Sequence, residues 1–367
     1  MTTDRWHPLL DIPAFPGERY AVIADRLAGI LKTRNDVVMI QAEAIVALEA
    51  AATSIIRPGM KAINIVTSPY GQWFGEWMRR AGGEVIDVTA IAACAIELGA
   101  VAAAISSHPD ASVLSIVHAE SASGICNPLP EIIALARTHG LLTIVDAVAS
   151  VGGHDLDVDA LGIDIAVIGP QKALAGPAGL SALSISANAW QAVGKPGGPA
   201  NSILSLADLK LWIENGRGPL PGTTVPLEWH ALDAALDRIE AEGLDAVIAR
   251  HALAAEATRA GLEALGADVW SRADTGSNLV TTAKVPDGLA PEKLIASVAY
   301  LTQSLATGVG PGAETLVRIS HTGQQARFDA VLAAICAYGT ALQRAGKHAD
   351  IAAASAAILA LYGKDHL

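Results

Sequence analysis

Residues 141–180 read LLTIVDAVASVGGHDLDVDALGIDIAVIGPQKALAGPAGL, and this stretch decides the fold. One apolar run over 141–146 ends in Asp146. A second, over 164–169, runs into Pro170-Gln171-Lys172 and a Gly/Pro-rich loop. Both runs are continuous rather than alternating, the pattern of strands covered on both faces. In a parallel sheet two such strand ends open into one crevice, so a carboxylate and an amine come within reach of one small ring.

Outward from this stretch, short apolar runs alternate with longer helical patterns. Strands are predicted over 37–41, 61–67, 84–88, 112–118 and 179–185, and helices over 43–56, 71–81, 93–106 and 129–138. Strands interleaved with helices imply a mostly parallel sheet. Further helices are predicted over 203–214, 226–243 and 246–265. A small α+β unit follows, with strands near 278–285 and 313–320 and closing helices over 328–344 and 349–362. The expected division is a large domain over 12–245 and a small C-terminal domain over 246–367. No internal repeat is found.

The 367 residues are 51% hydrophobic and only 17% charged, ample for a buried core and unlike a disordered chain. A net charge of −12 with no basic stretch gives nucleic-acid binding no electrostatic support. Three cysteines, Cys94, Cys126 and Cys336, have neither paired nor zinc-ligand spacing, which suits a reducing compartment and predicts no metal. The first residues lack a basic start followed by an apolar run, and the Ala-rich stretch 91–105 is too short to span a bilayer. The reading is a cytoplasmic enzyme without a membrane partner.

Asp146 and Lys172 each have an ordinary alternative, a turn carboxylate and a solvated loop lysine. Together they suit pyridoxal chemistry. A lysine amine condenses with the ring aldehyde and later shuttles a proton, while an aspartate keeps the pyridine nitrogen protonated so that the ring acts as an electron sink.

Further stretches agree in order and spacing with a known family. These are Ser68-Pro69-Tyr70-Gly71-Gln72, His118-Ala119-Glu120-Ser121-Ala122-Ser123-Gly124 and Arg318-Ile319-Ser320-His321-Thr322-Gly323. With 141–180 they resemble the class V aminotransferases of fold type I, which include alanine–glyoxylate and serine–glyoxylate enzymes, over roughly residues 12–345. The resemblance implies an α/β fold type I transferase that binds pyridoxal 5'-phosphate. Lys172 becomes the Schiff-base lysine and Asp146 the pyridinium partner. Tyr70 stacks on the ring, Ser121 lies near the ring hydroxyl, Gln171 lies beside the anchoring end, and Arg318 grips a substrate carboxylate. Family members are homodimers with a shared site, and Thr223 matches the residue that reaches the neighbouring pocket. Ordinary alternatives are a core aromatic at a helix start for Tyr70, a surface ion pair for Arg318 and a helix-entry residue for Thr223.

The pattern breaks at the phosphate. Most members open the first large helix with Ser-Gly-Thr/His, because helix N-termini suit phosphate. Here the turn is Glu43-Ala44-Ile45, and Pro170 precedes Gln171. Glu43 reads either as a first-turn acid facing solvent or as a carboxylate that repels phosphate. The second reading resembles the branch of the family that takes unphosphorylated pyridoxamine and pyridoxal as substrates, with pyruvate as acceptor. Stretches at 201–205, 249–253 and 344–347 point the same way. Two departures stand out. Val309 occupies the place of that branch's second arginine, nine residues before Arg318. An Ala-Gly-Pro turn expected ahead of Pro13-Ala14-Phe15 is not found.

The expected activity is transamination between pyridoxamine and a small 2-oxo acid. The alternatives are a PLP-dependent amino acid–glyoxylate or –pyruvate aminotransferase, a desulfurase or lyase of the same fold, and a fold type I binding protein without catalysis.

Overall fold

The computed structural model describes residues 12–310 and 315–363. Helix α1 (Arg19–Ile30) leads into β1 (Asp36–Ile40), α2 (Ala44–Ile55), β2 (Lys61–Val66), α3 (Pro69–Arg80), β3 (Glu84–Thr89), α4 (Leu98–Ser107) and β4 (Ala111–Val117). Then come α5 (Leu129–Thr138), β5 (Leu142–Asp146), the one-turn α6 (Val158–Leu161), β6 (Ile165–Ile168) and β7 (Ser181–Ile185). These seven strands form one sheet in the order β1-β7-β6-β5-β4-β2-β3. β3, β2, β4, β5 and β6 pair in parallel, and β7 runs antiparallel to both β6 and β1. β1 therefore points the same way as β6. The C-terminal ends of β1, β2, β4, β5 and β6 all reach the same edge.

The continuous apolar runs of β5, β6 and β7 are buried at every position. Their isoleucines, valines and leucines fit a pleated surface covered on both sides. One polar network ties the sheet to the helix above it. Buried Asn64 on β2 donates to the Gly71 carbonyl at 2.9 Å and to Asp87 Oδ1 on β3 at 2.8 Å, and accepts from Ser115 on β4 at 2.7 Å. An orphaned partner there would cost roughly 1–3 kcal/mol, so the start of α3 is fixed to three strands.

The chain continues through α7 (Ala187–Val193), α8 (Leu206–Glu214), α9 (Pro226–Glu242) and the long α10 (Leu244–Leu265). β8 (Asp268–Val269), β9 (Val280–Lys284), α11 (Pro291–Val298), β10 (Leu305–Thr307), β11 (Leu316–Ser320), α12 (Phe328–Arg344) and α13 (Ile351–Tyr362) complete it. The last four strands form an antiparallel sheet in the order β10-β11-β9-β8. Two main cores result. One gathers buried apolar residues from Phe15 to Val247, the other from Ala254 to Ile358. Helix α10 feeds both, through Val247 at its start and Ala254 to Leu265 further on.

Two predicted helices begin elsewhere. The helix expected over 71–81 starts at Pro69, because Ser68 caps it by accepting from Tyr70 N at 3.1 Å and proline is pre-set for the first helical position. The helix expected from 93 starts only at Leu98. Ala93 is left-handed with φ 66°, and Ile96 N donates to Asn127 Oδ1 at 3.0 Å rather than into a helix. No described helix is long and apolar enough to cross a membrane.

Candidate active site

Five loops leave the shared edge, and each brings one of the residues singled out above. Glu43 follows β1, Tyr70 follows β2, Ser121 follows β4, Asp146 closes β5, and Lys172 follows β6. Glu43, Tyr70, Ser121, Asp146 and Lys172 line one cavity of about 300 Å³. Its walls are otherwise apolar, with Leu48, Trp73, Val117 and Ala149 among them.

Asp146 sits at the floor, 7% exposed, with Oδ1 accepting from Val148 N at 2.9 Å. Burial pushes its carboxyl up to about 6, against the pull of the Val148 amide and the Lys172 ammonium. Lys172 lies opposite in a tight turn, where its carbonyl accepts from Ala175 N at 3.0 Å and Gly176 N bonds the Pro170 carbonyl at 2.8 Å. Burial, then the Arg318 guanidinium, lowers its amine below the ordinary lysine value. The pair therefore holds a carboxyl and an amine whose affinities for a proton are drawn towards one another.

Glu43 is the N-cap of α2. Oε2 accepts from Ile45 N at 2.9 Å, and Oε1 accepts from the Gln171 amide at 2.8 Å. One amide at this helix mouth, Ile45 N, thus faces a carboxylate, and Glu43 itself is exposed. Lys172 is the cavity's sole cation among the described residues.

Tyr70 stands in the first turn of α3 and meets Trp73 edge to face, with centroids 5.4 Å apart. Trp73 is 42% exposed, an aromatic wall on the open side of the cavity. Arg318 on β11 reaches back across the two cores. Its Nε donates to the Thr307 carbonyl at 2.7 Å, and Nη1 donates to the Ser121 carbonyl at 2.8 Å. No ion pair joins it to an acidic residue among those described.

The loop after β4 carries Ser121 and links the two sheets. The Ser123 carbonyl accepts from Thr282 Oγ1 at 2.6 Å, and the Gly124 carbonyl accepts from Ser277 N at 2.8 Å. Gly124 has φ +76°, and a Cβ there would lie 2.5 Å from the Val280 carbonyl oxygen, so only glycine lets the loop approach.

Three side chains have no role assigned from the sequence. Trp73 is one. Glu120 is another: it is fully buried and bonded by the hydroxyls of Thr67 and Ser68. Thr67 Oγ1 also accepts from Asn127 Nδ2 at 2.9 Å, so a hydrogen-bonded chain runs from Asn127 to the cap that holds Tyr70. Burial, and then Asp146, pushes Glu120 up to about 7. Its place in the His118–Gly124 stretch was the available signal. The third feature is His118, buried with Nδ1 unbonded and driven down to about 3 by burial. Thr223 is not brought to the cavity within this chain. It is exposed, and its carbonyl accepts from Gln41 Nε2 at 3.4 Å.

A mixed sheet whose strand ends gather a lysine, an aspartate and an aromatic wall, with a second antiparallel sheet supplying an arginine, defines a fold type I pyridoxal-dependent transferase. A solved structure agrees. Pyridoxamine–pyruvate aminotransferase from Mesorhizobium loti matches with a TM-score of 0.89 at 34% identity, over 94% of this chain and 89% of that one. The class V aminotransferase family matches residues 20–300, and the chain belongs to that family. It is a transaminase. The pyridoxamine–pyruvate transaminase of Mesorhizobium japonicum is 36% identical over 352 residues, covering 94% of this chain and 88% of that protein. The alanine–glyoxylate aminotransferase of Drosophila melanogaster is 31% identical over 312 residues, covering 82% and 78%.

Proposed function

We propose that the enzyme moves an amino group from unphosphorylated pyridoxamine to a 2-oxo acid. In this exchange pyridoxamine yields its amino group and takes the acid's oxo oxygen, giving pyridoxal and a 2-amino acid without an outside oxidant. The observation that carries the reading is Glu43. Its carboxylate occupies the α2 mouth and takes the Gln171 amide, so the donors suited to a phosphate are spent on an anion. A phosphate beside it would add nearly two negative charges next to the Glu43 carboxylate, in a cavity whose lining has Lys172 as its one cationic side chain. The donor set fits the ring and not its phosphate.

The ring, when bound, supplies an electron sink for the carbon that loses a proton. Asp146 would hold the pyridine nitrogen, and a protonated nitrogen there would relieve the cost of its buried carboxylate. Lys172 Nζ, whose ammonium form burial disfavours, would hold the ring through its aldehyde carbon, the aldehyde oxygen leaving as water, and would move the proton at the substrate carbon. Tyr70 covers the ring face, with Trp73 excluding water beside it. Ser121 lies by the ring hydroxyl and Gln171 by the end where the phosphate would be. Arg318, with no acidic partner among the described residues, takes the acid's carboxylate.

The ring residues fall in 12–245 and Arg318 in 246–367, the division we propose for the two domains. The working form is a cytoplasmic homodimer, with exposed Thr223 reaching the partner's cavity. A second reading, a PLP-dependent amino acid–glyoxylate or –pyruvate aminotransferase, draws support from the similarity to the alanine–glyoxylate enzyme. It requires Glu43 to yield its place. A donor assay separates the two: pyridoxamine should be consumed by the protein with pyruvate and no added cofactor. A protein that transaminates only after loading with PLP would overturn the proposal.

A further inference from the structure

A second cavity of about 230 Å³ is lined by residues 67–69 and 122–123, next in the chain to Tyr70 and Ser121 of the first. Leu316, on its wall, stands two residues before Arg318 on β11 and so shares the face of the strand that carries the guanidinium. Val309, also on the wall, lies two residues beyond Thr307, whose carbonyl fixes Arg318 Nε. A carboxylate held by Arg318 therefore has this cavity as its neighbour along the strand.

The lining carries no charged side chain among the described residues. Two of its hydroxyls, on Thr67 and Ser68, are already committed to Glu120. The remaining lining has three neutral polar side chains, Gln72, Thr89 and Ser123, and an apolar part formed by Ile91, Ala122, Trp270, Val309 and Leu316 among others. Ile91 is 70% exposed and Val309 37% exposed, so apolar area stands open to water on this wall. A second carboxylate seated here would lose its hydration with no positive group to receive it. An alkyl group would remove the open area from water.

We infer that the acceptor is a 2-oxo monocarboxylic acid whose uncharged alkyl side chain is longer than methyl and packs against Ile91, Trp270, Val309 and Leu316. This rests on the transaminase reading above, with Arg318 on the carboxylate. Val309 is then a specificity-determining residue. Glyoxylate, which has no side chain, and 2-oxoglutarate, which has a second charge, are both poor acceptors.

The test has two arms. In the first, enzyme carrying the amino group is mixed in single turnover with glyoxylate, pyruvate, 2-oxobutyrate, 2-oxoisocaproate or 2-oxoglutarate. The rate constant per unit acid should rise from pyruvate onward by about fourfold per buried methylene, with 2-oxoglutarate on the order of 10²-fold below the best. Val309→Arg should narrow that gap by about tenfold or more. In the second arm, calorimetry measures the binding of isocaproate and glutarate, which do not react. Isocaproate should bind tighter, and Val309→Arg should reverse the order. A flat response to chain length, a glutarate that binds as well as isocaproate, or an unchanged ratio in Val309→Arg would overturn the inference. The calorimetric arm is independent of the amine donor. Failure of pyridoxamine as donor with acid selectivity intact therefore sinks only the proposed function.

Discussion

The Gln171 amide donates to the Glu43 carboxylate at 2.8 Å across the mouth of α2. Both residues were expected at the anchoring end of a pyridoxal ring, one as a ligand and one as an anomaly. Their contact makes them one unit: the amide that could hold an anion already holds one. Glu43→Ser keeps a capping oxygen, removes the charge and frees Gln171. Affinity for PLP should rise by about tenfold or more, measured by absorbance titration against wild type. An unchanged PLP affinity would show that the carboxylate is not what excludes phosphate.

Lys172→Ala should abolish the absorbance band that pyridoxal gains on bonding the wild-type protein. It should also reduce transamination by about 10³-fold or more. The cavity walls come from other elements, so circular dichroism should be unchanged. A retained band would assign the bond to another amine.

Asp146→Asn leaves an oxygen for the Val148 amide but no charge for a pyridinium. Turnover should fall on the order of 10²-fold, while the Lys172 bond to pyridoxal still forms. Full turnover in this variant would remove Asp146 from its assigned place.

Four histidines set the acid behaviour. Burial holds His118 and His321 down to about 3 and His154 and His251 to about 4, below their ordinary 6.5. Between these values and 6.5 the unfolded chain binds protons that the folded chain refuses, so stability rises with pH. Asp146 and Glu120 act oppositely, because their folded carboxyls are raised to about 6 and about 7 and keep protons that the unfolded chain loses. Four groups outnumber two, so Tm should climb from about pH 4 to about pH 6.5. Above that Glu120 adds a shallow fall to about pH 7, opposed where the lowered Lys172 amine deprotonates before the unfolded chain does. Glu120→Gln removes one opposing carboxyl and should steepen the climb. A Tm that falls across this window would contradict it.

Gly124→Ala tests the link between the two sheets. The added methyl would sit 2.5 Å from the Val280 carbonyl at a φ of +76°. Denaturant unfolding should show a loss of roughly 1–3 kcal/mol. Because Ser121 and the Arg318 contact lie in the same loop, KM for the 2-oxo acid should rise as well.

Much of this was legible in the sequence. The unbroken apolar runs at 142–146 and 165–168 mark strands buried on both faces, and Asp146 and Lys172 are placed by where those runs stop. What stayed hidden depended on contacts between distant segments. The start of α3 is set by the Ser68 cap, and the late start of α4 by Asn127 bonding Ile96 N from across the loop. Helix α1 carries a buried stripe of Tyr20, Ile23, Ala24 and Leu27 that the sequence reading left unassigned. Glu43 left two readings open in sequence, a solvated first-turn acid and an anion blocker. Glu43 is exposed and caps α2, as the first reading has it, and its bond to Gln171, 128 residues away, is the contact on which the second rests.

The central claim is that this cavity takes the pyridoxal ring without its phosphate. Equilibrium titration of the purified protein with pyridoxal and with PLP, followed at the absorbance of the lysine-bound ring, tests it most directly. The account predicts that pyridoxal binds more tightly and that Glu43→Ser reverses the order. Tight PLP binding by wild type, with pyridoxal giving no band, would contradict it.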